Sequence, residues 1–441
     1  MKLLRPLLPA ALLAAMAVGS LSAVELTELE DGSTAKLTSL GNVQMAQGRY
    51  ETAIAHYQQA LAVDRTYFTA LYNLGLAFQQ LGNRDKARQW YLEALRARPD
   101  HPEVLCNLGV IAYQDADYRT AADRFTEAAR MAASSPRDQA DYWFNAGTAF
   151  ERGGNLAQAR RAYEECLAAD GRHYGGHYNL GTLLLGALGD GPQSLRQAQG
   201  HLTAAAEIAP DRPEAWLNLA LCHEQTGSGD AEADFTAAAR AAANDVAQLN
   251  RVRWQRALWL DRRQPPQKTA LREELRRILA DDAAFPDANG LLGQYLYDIA
   301  DFDRAVEHLE RECARDPGAE PSRTWLESHY LLAVIYTDHR PDPVKALGHA
   351  QEYYKRRPDA PKIHELRRRA LRLSAAMGVT AEPARGGASS AATRPAPAAG
   401  HGVPAPAAAG HGDAQAHPAP AAAPAHGPAP AAPAVPAAGH H

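Results

Sequence analysis

Five asparagines stand in a row along the first half of this chain: Asn73, Asn107, Asn145, Asn179 and Asn218, at intervals of 34, 38, 34 and 39 residues. A side-chain amide offers a donor and an acceptor on one short stem. A row of them can therefore grip the N–H and C=O of an extended polypeptide without reading its side chains. Each is preceded by Tyr72, Cys106, Phe144, Tyr178 or Leu217, and such a stripe suits the burial of a partner's side chains or of a helix face. The candidate peptide-binding groove is thus Asn73, Asn107, Asn145, Asn179 and Asn218, with Tyr72, Phe144 and Tyr178 beside them. A single Asn of this kind reads most simply as a bridge between neighbouring helices. Five in register favour a groove.

Bond-making chemistry is not legible in the sequence. It has no Gly-rich phosphate cradle, no Gly-x-Ser-x-Gly elbow and no His-Glu-x-x-His pair. The adjacent acids Glu164-Glu165 and Glu273-Glu274 point about 100° apart on a helix, so they read as solvated faces rather than acid–base pairs. No catalytic residue and no cofactor are expected. Cys106, Cys166, Cys222 and Cys313 are widely and irregularly spaced and read as small buried hydrophobes rather than a disulfide framework. His401, His411, His417 and His426 are weak metal candidates, because neutral imidazole binds Zn, Cu and Ni. Their irregular spacing and the entropy of ordering a loop oppose a preformed site, and no firm metal site is expected.

The elements that must carry the asparagines follow from internal repetition. Asn73-Leu74-Gly75, Asn107-Leu108-Gly109, Asn145-Ala146-Gly147 and Asn179-Leu180-Gly181 recur, and Asn218-Leu219-Ala220 follows. Twelve residues after the Gly comes Ala: Gly41 to Ala53, Gly75 to Ala87, Gly109 to Ala121, Gly147 to Ala159, Gly293 to Ala305. Four further on stands a ring or a Leu: Tyr57, Tyr91, Phe125, Tyr163, Leu309. Pro closes several units, at Pro99, Pro210, Pro317 and Pro358. The small residues let two helices touch, and the ring fills the space between them.

This pattern resembles the tetratricopeptide repeat over roughly residues 34–378, with units starting near 34, 68, 102, 140, 174, 213, 246, 286 and 322. The resemblance implies an all-α, right-handed superhelical solenoid of about nine helix pairs. It also implies that the first helix of each pair lines a concave groove, where the Asn row would lie. One pair cannot bury its apolar face alone, so stacking supplies the core. The seventh unit lacks the Leu-Gly and Ala signals and is split by Pro265-Pro266; its helices are expected over Val246–Arg263 and Lys268–Ala280. The fifth carries five extra residues in its turn, around Gly186–Gly191. A capping helix is expected over 361–378, with Ile363, Leu366, Ala370, Leu373 and Met377 facing the last repeat and Arg367, Arg368, Arg369 and Arg372 solvated. The carboxylate clamp of this family's chaperone adaptors needs Lys and Arg on the first helices. Units two to six lack that cluster apart from Arg152.

At the N-terminus, Met1-Lys2-Leu3-Leu4-Arg5, an apolar run from Pro6 to Gly19 and Ser20-Leu21-Ser22-Ala23 read as a signal peptide over 1–23. Export to the periplasm or the cell surface follows, with no membrane span once the leader is removed; an uncleaved anchor is the rival reading. From Val379 to His441 the chain is mostly Ala, Pro, Gly and His, with twelve prolines, and a disordered spacer is expected there. The formal net charge is −5 without blocks of one sign, which argues against nucleic acid as partner. The reading is a non-enzymatic protein-protein interaction scaffold of the cell envelope. The alternatives are a structural, self-assembling envelope protein and a metal-handling protein acting through its His-bearing tail.

Overall fold

The computed structural model describes residues 34–378, except 187, 189–190, 264–266, 319 and 359. The leader at 1–23, Pro265-Pro266, the tail from 379 and its histidines His401, His411, His417 and His426 lie outside the described residues. All nineteen elements among the described residues are helices. They fall in two compact bodies, one running to Ala231 and one from Glu232 onward.

In the first body the pairs are α1 (Thr34–Ala46) with α2 (Tyr50–Val63), α3 (Phe68–Gln80) with α4 (Arg84–Ala97), α5 (Pro102–Gln114) with α6 (Tyr118–Met131), α7 (Pro136–Arg152) with α8 (Leu156–Ala169), and α9 (Tyr174–Leu185) with α10 (Pro192–Ile208). Helix α11 (Pro213–Thr226) follows, and α12 (Ala231–Ala241) begins at the division. The second body holds α13 (Val246–Arg262) with α14 (Lys268–Asp281), α15 (Ala288–Asp298) with α16 (Phe302–Cys313), α17 (Arg323–Asp338) with α18 (Pro343–Arg356), and α19 (Pro361–Ala376). From α1 to α11 every helix packs on the next in sequence, and so does every helix from α13 to α19.

The glycine on each first helix has a specific cause. A Cβ on Gly147 would stand 2.5 Å from Tyr163 Cε1, one on Gly109 2.8 Å from Phe125 Cε1 and one on Gly293 2.6 Å from Leu309 Cγ. Even a methyl group is excluded, because the facing ring or Leu lies against the backbone itself. The rule survives the long turn of the fifth repeat: a Cβ on Gly181 would meet Leu202 Cγ at 2.8 Å. The five extra residues are absorbed between α9 and α10, and the partner side chain moves along the sequence by the same amount.

Turns between paired helices are built alike. Asn83 Oδ1 accepts from Lys86 N, Asp117 from Thr120 N, Asn155 from Gln158 N and Asp301 from Arg304 N, capping each second helix. The residue before the cap is left-handed: Gly82 at φ 74° and Gly154 at φ 75°, but also Ala116 and Ala300 at φ 61°. Gly153, just before Gly154, keeps a negative φ, so of these two adjacent glycines only Gly154 is left-handed. An Ala in this region costs about 1 kcal/mol or more relative to Gly. Ala116→Gly is therefore expected to raise stability by about 1 kcal/mol, read as a higher midpoint in urea with unchanged slope.

Two expectations are corrected. In α19, Ile363, Leu366, Ala370 and Ser374 are buried, whereas Leu373 is half-buried and Met377 is 50% exposed. The helix ends at Ala376, and the contact stripe runs along the 3–4 spacing from Ile363 to Ser374. Its arginines also do more than face water: Arg369 pairs with Asp338, and Arg367 lies over the Tyr354 ring at 5.8 Å. In the seventh repeat Glu274 is buried, not solvated, while its neighbour Glu273 is half-exposed on the surface. Adjacent helical residues diverge by about 100°, so one carboxylate of the two turns inward. There Arg256 donates to Glu274 at 2.6 Å and also pairs with Glu232. This ionic clasp joins α14 to α12 and α13 where the small-residue signature is missing.

Candidate functional site

Every amide of the Asn row sits on a first helix, and its nitrogen is partnered inside the protein. Asn73 Nδ2 donates to Asn42 Oδ1 at 2.7 Å, and the Tyr57 hydroxyl donates to the same oxygen at 2.8 Å. Asn107 Nδ2 donates to the Tyr72 hydroxyl at 3.3 Å, and Asn218 Nδ2 to the Tyr178 hydroxyl at 3.1 Å. Asn145 bonds the Cys106 thiol, whose proton affinity is raised chiefly by burial. Asn179 Nδ2 donates to the Tyr163 hydroxyl at 3.1 Å. The partner lies one repeat earlier in each case. The row is thus first a set of clips between consecutive repeats, in which the amide meets the polar tip of a side chain whose body is core.

Exposure divides the row. Asn107 is 1% and Asn73 7% exposed, and Tyr72 and Tyr178 are buried as well. These four belong to the interior and cannot touch a ligand in this conformation. Asn145, Asn179, Asn218 and Phe144 are half-buried. Each of these three amides retains a second N–H beyond the one donated inward. Phe144 lies 5.1 Å from the His173 ring and 6.1 Å from the Tyr163 ring, centroid to centroid. His173 in turn faces Asp141 at 3.1 Å and accepts from Gly176 N. This stretch of α7, α9 and α11 offers amides, a ring edge and a carboxylate on one series of first helices.

The rings behind the row are held by burial and by their hydroxyls. Tyr163 is fully buried, and its hydroxyl donates to Glu151 Oε2 at 2.7 Å. Burial holds the Glu151 carboxyl above its ordinary range, and the Tyr163 bond opposes that rise. A separate cavity of about 520 Å³ opens beside α2 and α4, lined by Leu61, Leu71 and Trp90 among others. It does not include the Asn row.

Cys106, Cys166 and Cys222 are buried, and none of the four cysteines forms a disulfide, which agrees with their reading as small core residues. Cys313 differs: it is half-buried, and in the second body it comes together with His329 and His349. Sequence reasoning missed this group, because gaps of sixteen and twenty residues on three helices match no metal-ligand spacing.

Stacked helical hairpins with a small-residue seam and a row of inter-repeat amides define a helical-repeat protein. Family models described as TPR repeat and tetratricopeptide repeat match residues 41–82 and 66–134, and 106–173, 146–195 and 193–247. The chain belongs to the tetratricopeptide-repeat proteins, and repeats of this kind imply protein-protein interaction.

Among curated relatives, the photosystem I assembly protein Ycf3 of Acaryochloris marina is 31% identical over 106 residues, 23% of this chain and 61% of the relative. The protein O-mannosyl-transferase TMTC2 of Mus musculus is 38% identical over 71 residues, 15% of this chain and 8% of the transferase. Tetratricopeptide repeat protein 8 of Caenorhabditis elegans is 26% identical over 151 residues, 33% of this chain and 29% of the relative. The chain thus spans less than two thirds of each of these relatives. Among solved structures, Pseudomonas aeruginosa pilF matches at TM-score 0.39 and 20% identity, covering 54% of this chain and 95% of that one. YrrB, described as a TPR protein with an unusual peptide-binding site, matches at TM-score 0.36 and 21% identity, covering 44% and 95%.

Proposed function

We propose that the first-helix face around Asn145, Asn179 and Asn218 holds an extended or helical segment of a partner protein, and that the chain works outside the cytoplasm as an assembly scaffold. The observation that supports this is the open side of these three half-buried amides, one per repeat, with Phe144 beside them. A partner backbone laid across them gains hydrogen bonds without demanding a sequence, and the ring gives its side chains an apolar seat. The reading needs no catalytic step and no cofactor. Export rests on the N-terminal Met1–Ala23 pattern. It predicts a mature chain that begins after Ser22 or Ala23, which N-terminal sequencing of the protein from its own host checks.

The groove is tested by replacing Asn145, Asn179 and Asn218 together with Ala. Each loses one inward bond, so a stability loss of about 0.5–1.5 kcal/mol per site accompanies the change, while helicity persists. Recovery of the partner that co-purifies with the wild-type chain is expected to fall at least about tenfold, for a loss of about 1.4 kcal/mol or more of binding energy. Undiminished recovery on a folded triple variant would remove the amides from the interface.

A further inference from the structure

We infer that Cys313, His329 and His349 form a zinc(II) site in the second body, built by three consecutive helices. Cys313 ends α16, His329 lies on α17 and His349 on α18. One donor atom from each lies within 4.8 Å of the other two. The imidazoles face each other nitrogen to nitrogen, with 2.9 Å between the two Nδ1 atoms. A tetrahedral zinc with bonds of about 2.0–2.1 Å to nitrogen and about 2.3 Å to sulfur sets its ligand atoms about 3.3–3.6 Å apart. The two nitrogens stand slightly closer than that and part a little as the ion enters between them, and no donor atom of the three lies more than 4.8 Å from another.

Several features prepare the group for a cation. His329 is 5% exposed, and its Nε2 is buried with no hydrogen-bond partner. With Nδ1, the nitrogen that faces His349, as the ligand atom, Nε2 carries the ring's proton and stays buried. The ring is held in place edge-on to Trp325, with centroids 4.1 Å apart.

Glu310 and Glu312 stand near Cys313 and Glu352 near both histidines, with the Lys345 ammonium also near His349. Glu310 is held by Lys345 and by the Tyr336 hydroxyl, and Glu312 by Arg315. They therefore steady the site without competing as ligands. One thiolate and two imidazoles select zinc over magnesium or calcium, which prefer oxygen. Cys313 and His349 are half-buried, so a water or a partner's side chain completes the fourth position. On binding, Cys313 gives its thiol proton to solvent, and the imidazole that donates in the Nδ1···Nδ1 bond takes its proton on Nε2 instead.

The test uses the full chain stripped of metal, with cobalt(II) as the probe. Tetrahedral cobalt bound to a thiolate gives a sulfur-to-metal charge-transfer band, which tail histidines cannot produce. One equivalent of cobalt is expected to raise this band, zinc to abolish it, and Cys313→Ser to eliminate it with helicity unchanged. His349→Gln is expected to weaken cobalt binding by at least about 10–100-fold, the loss already seen when only an outer-shell partner is removed. A second readout needs no variant: zinc should protect Cys313 in the wild-type chain from alkylation, located by mass spectrometry of its peptide. No thiolate band in the wild type, a band that survives Cys313→Ser, or equal alkylation of Cys313 with and without zinc each overturns the proposal.

Discussion

Tyr163→Ala is expected to destabilise the first body by about 3–5 kcal/mol, the usual cost of removing a buried ring. Tyr163 is fully enclosed between α7 and α8. Its hydroxyl also serves two neighbours, donating to Glu151 at 2.7 Å and accepting from Asn179 Nδ2 at 3.1 Å. Truncation thus opens a cavity at the backbone of Gly147 and strands a half-buried carboxyl and an amide. Tyr163→Phe separates the two parts. It keeps the ring and costs about 1.5–3 kcal/mol, the range for a bond to a charged group.

The pH dependence has a definite sign. Burial holds the Glu151 carboxyl above its ordinary value of 4.5, so just above that pH the folded chain keeps a proton that the unfolded chain loses. Stability from this group is full below that value and is lost as pH rises through the folded one. Removing the Tyr163 bond, which lowers this carboxyl, lifts the folded value further. The deficit of Tyr163→Phe should therefore grow from about pH 4 to neutrality, measured by urea midpoints across that range. A deficit independent of pH would mean that the bond does not reach the ionised carboxylate. Because stability in a stacked array is carried by each repeat and its neighbours, the α7–α8 pair and the pairs touching it should lose hydrogen-exchange protection first.

Gly147→Ala is the second large effect, and its direction runs against helix propensity. In an open helix the change gains about 1 kcal/mol. Here the new Cβ would stand 2.5 Å from Tyr163 Cε1, and a fully enclosed ring has nowhere to retreat. Overpacking of this kind costs about 1–3 kcal/mol, so a net loss of up to about 2 kcal/mol is expected after the propensity gain. Combining the two substitutions gives the decisive measurement. With Tyr163→Ala in place the obstacle is gone, and Gly147→Ala should become stabilising by up to about 1 kcal/mol. A double-mutant cycle that showed additivity would separate the glycine from the ring and undo this account of the repeat signature. The same reversal is expected at Gly109 with Phe125, where the distance is 2.8 Å.

These expectations also show why the architecture could be read from residues alone. The code of each hairpin is local. A glycine, an alanine twelve residues on and a ring four beyond that fall within a single repeat, as Gly147, Ala159 and Tyr163 do, and the glycine backbone and the ring touch. The caps at Asn83 and Asn155 act within three residues. The helices of the seventh repeat run over Val246–Arg262 and Lys268–Asp281 without the signature, since apolar spacing and the intervening break suffice to define two helices.

By itself, then, the sequence determined that this chain is a stack of helical hairpins and where their small-residue seams lie, because those features depend on contacts between residues a fixed, short distance apart. Tertiary structure decided which way each polar group points. It sank Asn107 and Tyr72 into the interior, left Asn145, Asn179 and Asn218 half open, turned Glu274 inward onto Arg256, and set Cys313 beside His329 and His349. Each outcome depends on the rotation of a helix about its axis and on which neighbour it meets. With about 100° between successive residues, a small rotation moves a side chain from solvent to core, and only the packing of one repeat on the next selects the angle.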